Sequence, residues 1–307
     1  MCYPLTRKLL QKICPSRQEG GPVLKFFYLS DYPDMTGERF EFTSNGNILK
    51  GYKYYIGNKE NKDIVIFHHG FGGGHNAYED LLHRFALHGY LVYTYDNSCC
   101  GDSEGTGWWN LSSSLADQEN FFKWLDTDED QKGRRRIVVG HSWGGFTAVN
   151  GLRYKVDKVV GISAFTRVIS MITDLYKGTK ILSPLILSAQ KHYFGKYGDV
   201  NTLDLLQNSN IPVLLVHGEK DDVVNYQKTF LPLKEKLKDK ENIKFYVVKD
   251  RYHQPYMSIR GQEYFRYLNE SGIALGKVKE YPPIDYNLLL EADIEVLNNI
   301  FSFIDEK

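Results

Sequence analysis

Short apolar runs rich in β-branched residues alternate along the chain with segments whose apolar positions recur at helical spacing. The runs at Asp63–Gly70, Tyr90–Asp96, Arg136–Gly140, Lys158–Ala164, Ile211–Gly218 and Ile243–Lys249 predict strands. Arg39–Gly57 holds two alternating runs around Ser44-Asn45-Gly46-Asn47, which predicts a hairpin. Helical periodicity covers Asn76–Gly89, Ser113–Thr127, Trp143–Tyr154, Asn225–Lys240 and Tyr286–Ile304. Near-continuous apolar strands between amphipathic helices predict an α/β fold: a mostly parallel central sheet of about eight strands, flanked by helices.

The alternation breaks once. Between Arg167 and Asn210 no strand pattern occurs, yet apolar residues are frequent. A stretch of that length predicts a helical cap, residues 167–210, inserted between two sheet strands. The expected organisation is an N-terminal extension over 1–37, a core formed by 38–166 and 211–307, and the inserted cap.

Composition narrows the class of function. Of 307 residues, 42% are hydrophobic and 25% charged, which is globular. Lys plus Arg and Asp plus Glu number 38 each, so charge offers no reason to expect nucleic acid or an anionic membrane as partner. The run Arg134–Arg136 is the densest basic patch and is expected to be a solvated turn. The N-terminus has no apolar signal region, and no apolar run spans a bilayer, so a cytoplasmic protein without stable membrane insertion is expected. Cys2, Cys14, Cys99 and Cys100 fit reduced thiols, and the adjacent Cys99 and Cys100 fit small buried side chains better than a vicinal disulfide or redox switch.

Two stretches match the G-x-S-x-G pattern of a nucleophile elbow: Gly140–Gly144 and Gly101–Gly105. The first stands between a predicted strand and a predicted helix, so Ser142 would sit in a tight turn facing the helix N-terminus. Ser103 has no such frame and reads as a polar turn. A serine hydroxyl needs a base. His68, His69, His75, His83, His88 and His141 precede Ser142, His192 falls in the cap segment, and His217 lies within a strand end. His253 remains, in a loop after the Ile243–Lys249 strand. Asp221 and Asp222 follow another strand end, and spacing from Gly218 favours Asp221, leaving Asp222 to cap the next helix. The glycine-rich turn after His69 places a backbone N–H, that of Phe71, where it could pair with that of Trp143 as an oxyanion hole.

With these motifs in the order HGFGG, GHSWGG, GEKDDVV and RYH, the sequence over about residues 40–305 resembles an α/β-hydrolase-fold serine hydrolase. It is most similar to the capped esterases, monoacylglycerol-lipase-like enzymes and serine aminopeptidase-like hydrolases. The resemblance implies the triad Ser142, Asp221 and His253, since G-x-x-D-x-x-V matches Gly218, Asp221 and Val224. The motif D-x-R-G-x-G-x-S is altered, with Ser98 and Cys99 where Arg and Gly are usual.

Two rivals compete. A dinucleotide-binding reading uses GFGGGH and Asp96, but His75 occupies the position where the third glycine belongs, and Ser142 and His253 go unexplained. A metal site from His68, His69 and His75 is disfavoured because adjacent strand residues face opposite ways. The expectation is hydrolysis of a small to medium acyl or aryl carboxylic ester, without cofactor or metal. A peptidase or amidase of the serine aminopeptidase type is the alternative, as is a non-catalytic ligand-binding member of the fold.

Overall fold

The computed structural model describes residues 23–60, 62–105, 111–176 and 178–307. Most of the expected extension over 1–37, with Cys2 and Cys14, lies outside the described residues.

Eight strands form one sheet: β1 (Thr36–Ser44), β2 (Asn47–Tyr55), β3 (Ile64–His68), β4 (Leu91–Tyr95), β5 (Arg136–His141), β6 (Lys158–Ile162), β7 (Val213–Gly218) and β8 (Ile243–Val248). Their order is β1-β2-β4-β3-β5-β6-β7-β8. The β1–β2 and β2–β4 pairs are antiparallel, and every pair from β4 through β3 to β8 is parallel. The β1–β2 turn has Asn45 and Gly46 at φ of 49° and 81°, the positive values that a two-residue hairpin requires.

Strand alternation divides the core into two layers. Val65 and Phe67 of β3 face α1 (Glu79–His88) and the C-terminal helix, while Ile64 and Ile66 face the opposite layer. That second layer contains α2 (Ser113–Leu125), α3 (Trp143–Asn150), and the helices flanking β7, α6 (Thr202–Asn208) and α7 (Leu231–Leu237). All five residues of β3 are buried, at about 1.5–3 kcal/mol for each large apolar side chain. Cys99 and Cys100 are buried thiols packed beside Leu111 and Trp143.

Between β6 and β7 the chain forms α4 (Val168–Leu175), short 3-10 turns at Thr179–Leu182 and Gly195–Tyr197, α5 (Ser183–Phe194) and α6. Phe165, Val168, Met171, Ile172 and Ile186 pack against Leu111, Trp143 and Phe146, so this segment rests over the start of α3.

Three expectations need correction. The predicted helix over Tyr286–Ile304 is broken into α9 (Tyr286–Leu289) and α10 (Ile294–Asp305), because Ala292 bridges to Met257 and Asp293 caps α10 by accepting from Val296 N–H. A helix absent from the predicted set, α8 (Ile259–Glu270), follows His253. Arg134–Arg136 is no solvated turn. Arg134 donates to the Lys59 carbonyl, Arg135 pairs with Asp63 and reaches the Ile304 and Glu306 carbonyls, and Arg136 begins β5 and pairs with Asp126. Among the described residues, no helix is long and apolar enough to cross a membrane.

Candidate active site

Ser142 is placed by the junction between β5 and α3. Its φ of 58° and ψ of −116° lie outside the ordinary L-residue regions, a conformation costing on the order of 1–3 kcal/mol. Ser142 N–H donates to the Ile162 carbonyl of β6, and its own carbonyl accepts from Phe146 N–H in the first turn of α3. Two glycines make the turn sterically possible. A Cβ on Gly140 would stand 2.1 Å from the Gly144 carbonyl oxygen, and one on Gly144 would stand 1.9 Å from that of His68. Strand, helix and the neighbouring strand therefore close to backbone contact around Ser142.

The structure brings Ser142, His253 and Asp221 together from three strand ends. His253 Nε2 lies 2.9 Å from Ser142 Oγ, and its Nδ1 lies 2.9 Å from Asp221 Oδ2. All three residues are buried: Ser142 is 7% exposed, His253 9% and Asp221 2%. Asp221 Oδ1 accepts from the backbone N–H groups of Val223 and Val224. Burial opposes ionisation of Asp221, but hydrogen bonds from His217 and His253 outweigh it and hold the carboxyl well below its usual range. Asp222 is exposed and caps nothing; the side chain that caps the following turn, by accepting from Lys228 N–H, is Asn225.

Several supporting residues escape the sequence reading. His217 Nε2 stands 2.8 Å from the Val224 carbonyl and 3.2 Å from Asp221 Oδ2, so Asp221 faces two imidazoles. His141, adjacent to Ser142, places Nε2 2.8 Å from the His253 carbonyl and Nδ1 2.8 Å from Tyr78 Oη. Burial, reinforced by the nearby His253, pushes the His141 pKa down to about 3, so the ring is neutral. A neutral ring makes both bonds at once if Nε2–H donates to the carbonyl and the Tyr78 hydroxyl donates to Nδ1. Ser163 Oγ also donates to the His253 carbonyl, at 2.9 Å. The His253 loop is thus gripped from β5 and from the end of β6. The available signal was position: His217 precedes Asp221 by four residues at a strand end, and His141 directly precedes Ser142.

A cavity of about 230 Å³ opens onto Ser142, Trp143 and His253. Phe71, 41% exposed, stands on its rim, and Leu111, Ile172, Leu175 and Tyr176 supply apolar walls. Trp143 is the first residue of α3, and its indole N–H donates to the Leu111 carbonyl. Both residues expected to form the oxyanion hole, Phe71 and Trp143, therefore border the cavity that holds Ser142.

The remaining candidates have other partners. Ser103 Oγ donates to the Asp96 carbonyl and accepts from Lys50 N–H, which fixes the second G-x-S-x-G match as a turn. Asp96 accepts from His75 N–H, its ring and Asp102 N–H. Burial works against both charges, yet their attraction holds Asp96 below and His75 above their ordinary values. A carboxylate so engaged is not presented to a ribose. His68 approaches Gln118, and His69 accepts from Asn97 N–H, so the three histidines diverge to separate partners.

Comparison with known proteins agrees with this architecture. The model of the family described as serine aminopeptidase, S33, matches residues 59–192. An uncharacterized protein of Escherichia coli K12, YfhR, is 25% identical over 218 residues, 67% of this chain and 72% of its own. Among solved structures, the Pyrococcus furiosus esterase Pf2001 is similar at a TM-score of 0.61 and 18% identity, covering 84% of this chain and 98% of that one. Est1E from Butyrivibrio proteoclasticus, solved with ferulic acid bound, is similar at a TM-score of 0.57 and 18% identity, covering 70% of this chain and 90% of its own. Sheet order, the strand-to-helix turn at Ser142 and these matches give the chain the α/β-hydrolase fold.

Proposed function

We propose that the protein is a serine hydrolase that cleaves carboxylic esters through an acyl-enzyme on Ser142. The observation that carries the proposal is the unbroken chain Ser142 Oγ, His253 and Asp221, with 2.9 Å at each link. In this reading His253 Nε2 takes the Ser142 hydroxyl proton as Oγ bonds the substrate carbonyl carbon. The carbon–oxygen bond to the alcohol then breaks, and His253 gives that proton to the departing alcohol. Water attacks the acyl-enzyme, His253 takes its proton, and the proton returns to Oγ as the acid leaves. Asp221 holds the imidazole orientation and stabilises its charged form. The backbone N–H groups of Phe71 and Trp143 are assigned to the oxyanion, each worth about 3–4 kcal/mol in the transition state.

The helical segment over 167–210 is assigned the role of cap, supported by Met171, Ile172, Leu175 and Tyr176 on the cavity wall. Those side chains favour an apolar acyl or aryl group, and the Est1E complex with ferulic acid makes an aryl ester a sensible probe. An aminopeptidase must hold a substrate ammonium group. Among the described residues that line the Ser142 cavity there is no carboxylate, which favours esters over aminoacyl substrates. Turnover of p-nitrophenyl butyrate tests the proposal. Ser142→Ala is expected to lose about 10⁴-fold or more in kcat; retained turnover would exclude the mechanism.

A further inference from the structure

A second cleft opens beside the Ser142 cavity, and the two share Phe165, Met171 and Val223 as a common wall. It measures about 350 Å³. Its chemistry differs from that of its apolar neighbour. Ser170 and Thr173 from α4 border it on one side, and Asn225, Lys228 and Lys236 from the β7–α7 region border it on the other. Asp174 is the sole carboxylate among the described residues of its lining, and it lies 3.9 Å from Lys228. Among the described residues, Lys236 has no carboxylate within ion-pair distance. Two ammonium groups therefore face one carboxylate, among hydroxyl and amide groups able to donate hydrogen bonds.

We propose that this cleft is the subsite for the far end of the substrate and that it takes an anionic group, a carboxylate or a phosphate. The proposal rests on the serine-hydrolase reading and adds the substrate class. On this proposal a chain bonded at Ser142 runs along the apolar cavity and over the partly exposed Val223 of the shared wall to reach the lysines. A methyl end would gain nothing from these ammonium groups. An anionic end would find charge-assisted donors without giving up all its water, because both lysines are solvent-exposed. Exposed ion pairs are weak, so each lysine is expected to contribute about two- to fivefold.

Three p-nitrophenyl esters of one chain length test this: the hexanoate, the hydrogen adipate and the 6-(phosphonooxy)hexanoate. The wild-type protein is expected to favour at least one anionic ester over the hexanoate by about fivefold or more in kcat/KM, carried by KM. Which anion is favoured identifies carboxylate or phosphate as the recognised group. The double variant Lys228→Ala/Lys236→Ala is expected to bring the ratio to one or below, since Asp174 remains, and Lys228→Arg/Lys236→Arg should keep it. Equal kcat/KM for the three esters, or a ratio unmoved by the double alanine variant, overturns the proposal. Calorimetric binding of the same compounds to Ser142→Ala separates the two readings. An anionic preference in binding without wild-type turnover faults the hydrolase reading alone, and binding without that preference faults the cleft.

Discussion

At the scale of single residues, adjacent aspartates illustrate how much geometry rests on one position. Asp221 is buried, receives two backbone N–H groups and touches His253, whereas Asp222 points to solvent. Asp221→Asn is therefore expected to lower kcat by about 10²–10⁴-fold, and Asp222→Asn to leave it within a small factor. Steady-state kinetics on both variants check this, and the opposite ranking would reassign the acid. Gly144→Ala places a methyl group 1.9 Å from the His68 carbonyl oxygen and 2.7 Å from that of His69, backbone that cannot swing aside as a side chain would. It is expected to destabilise the fold by about 3 kcal/mol or more, read as a lowered denaturation midpoint. Ser142, Asp221 and His253 were legible because motif spacing and strand ends locate them along the chain. His217, Tyr78 and Ser163 were not, because nothing in linear order tells which side chains meet at a shared carbonyl or carboxylate.

At the scale of elements, the strands and most helices were legible from period alone. Their ends were decided by contacts that periodicity does not encode. The apolar pattern runs through Tyr286–Ile304 without interruption, yet the Met257–Ala292 bridge and the Asp293 cap divide it. Asp293 also accepts from the Arg251 guanidinium, two residues before His253. Asp293→Ala removes a helix cap and strands that arginine. A loss of about 1–2 kcal/mol is expected in urea denaturation, and Asp293→Asn should recover part of it. Arg135 was misread for the same reason. Its partners, Asp63 and the last turn of α10, are remote in sequence, so a basic run that looks solvated is a clasp between the sheet and the C-terminal helix.

At the scale of the whole molecule, burial of neutral histidines weakens the fold in acid. Burial pushes both His68 and His141 down to about 3, against an ordinary value of 6.5. The unfolded chain binds a proton at each as pH falls through about 6.5, while the folded protein resists until about 3. The contribution of these two rings is therefore complete above pH 6.5 and declines through that window, by on the order of 1 kcal/mol per pH unit for each histidine, while Glu79, pushed up by burial to about 7, opposes part of the decline. Asp221, held low, adds a further loss below the ordinary carboxylate range. Urea denaturation at pH 7 and pH 5 should show the decline, and His68→Gln should flatten it; an unchanged slope would contradict the assignment. The α/β architecture, a sheet with helices on both faces, was legible at this scale. The paired cavities were not, because they arise where the 167–210 segment meets the sheet, and volume between packed elements has no linear signature.

The turn at Ser142 carries one more consequence. Its φ of 58° is imposed by strand, helix and two glycines closing around it. A released chain has no reason to keep the serine in that conformation or beside His253. On the proposed mechanism, a fluorophosphonate reagent would then mark only folded molecules, one adduct for each. Labelling counted against total protein during heating or acidification would serve as a covalent census of the native population, taken molecule by molecule in a crude mixture.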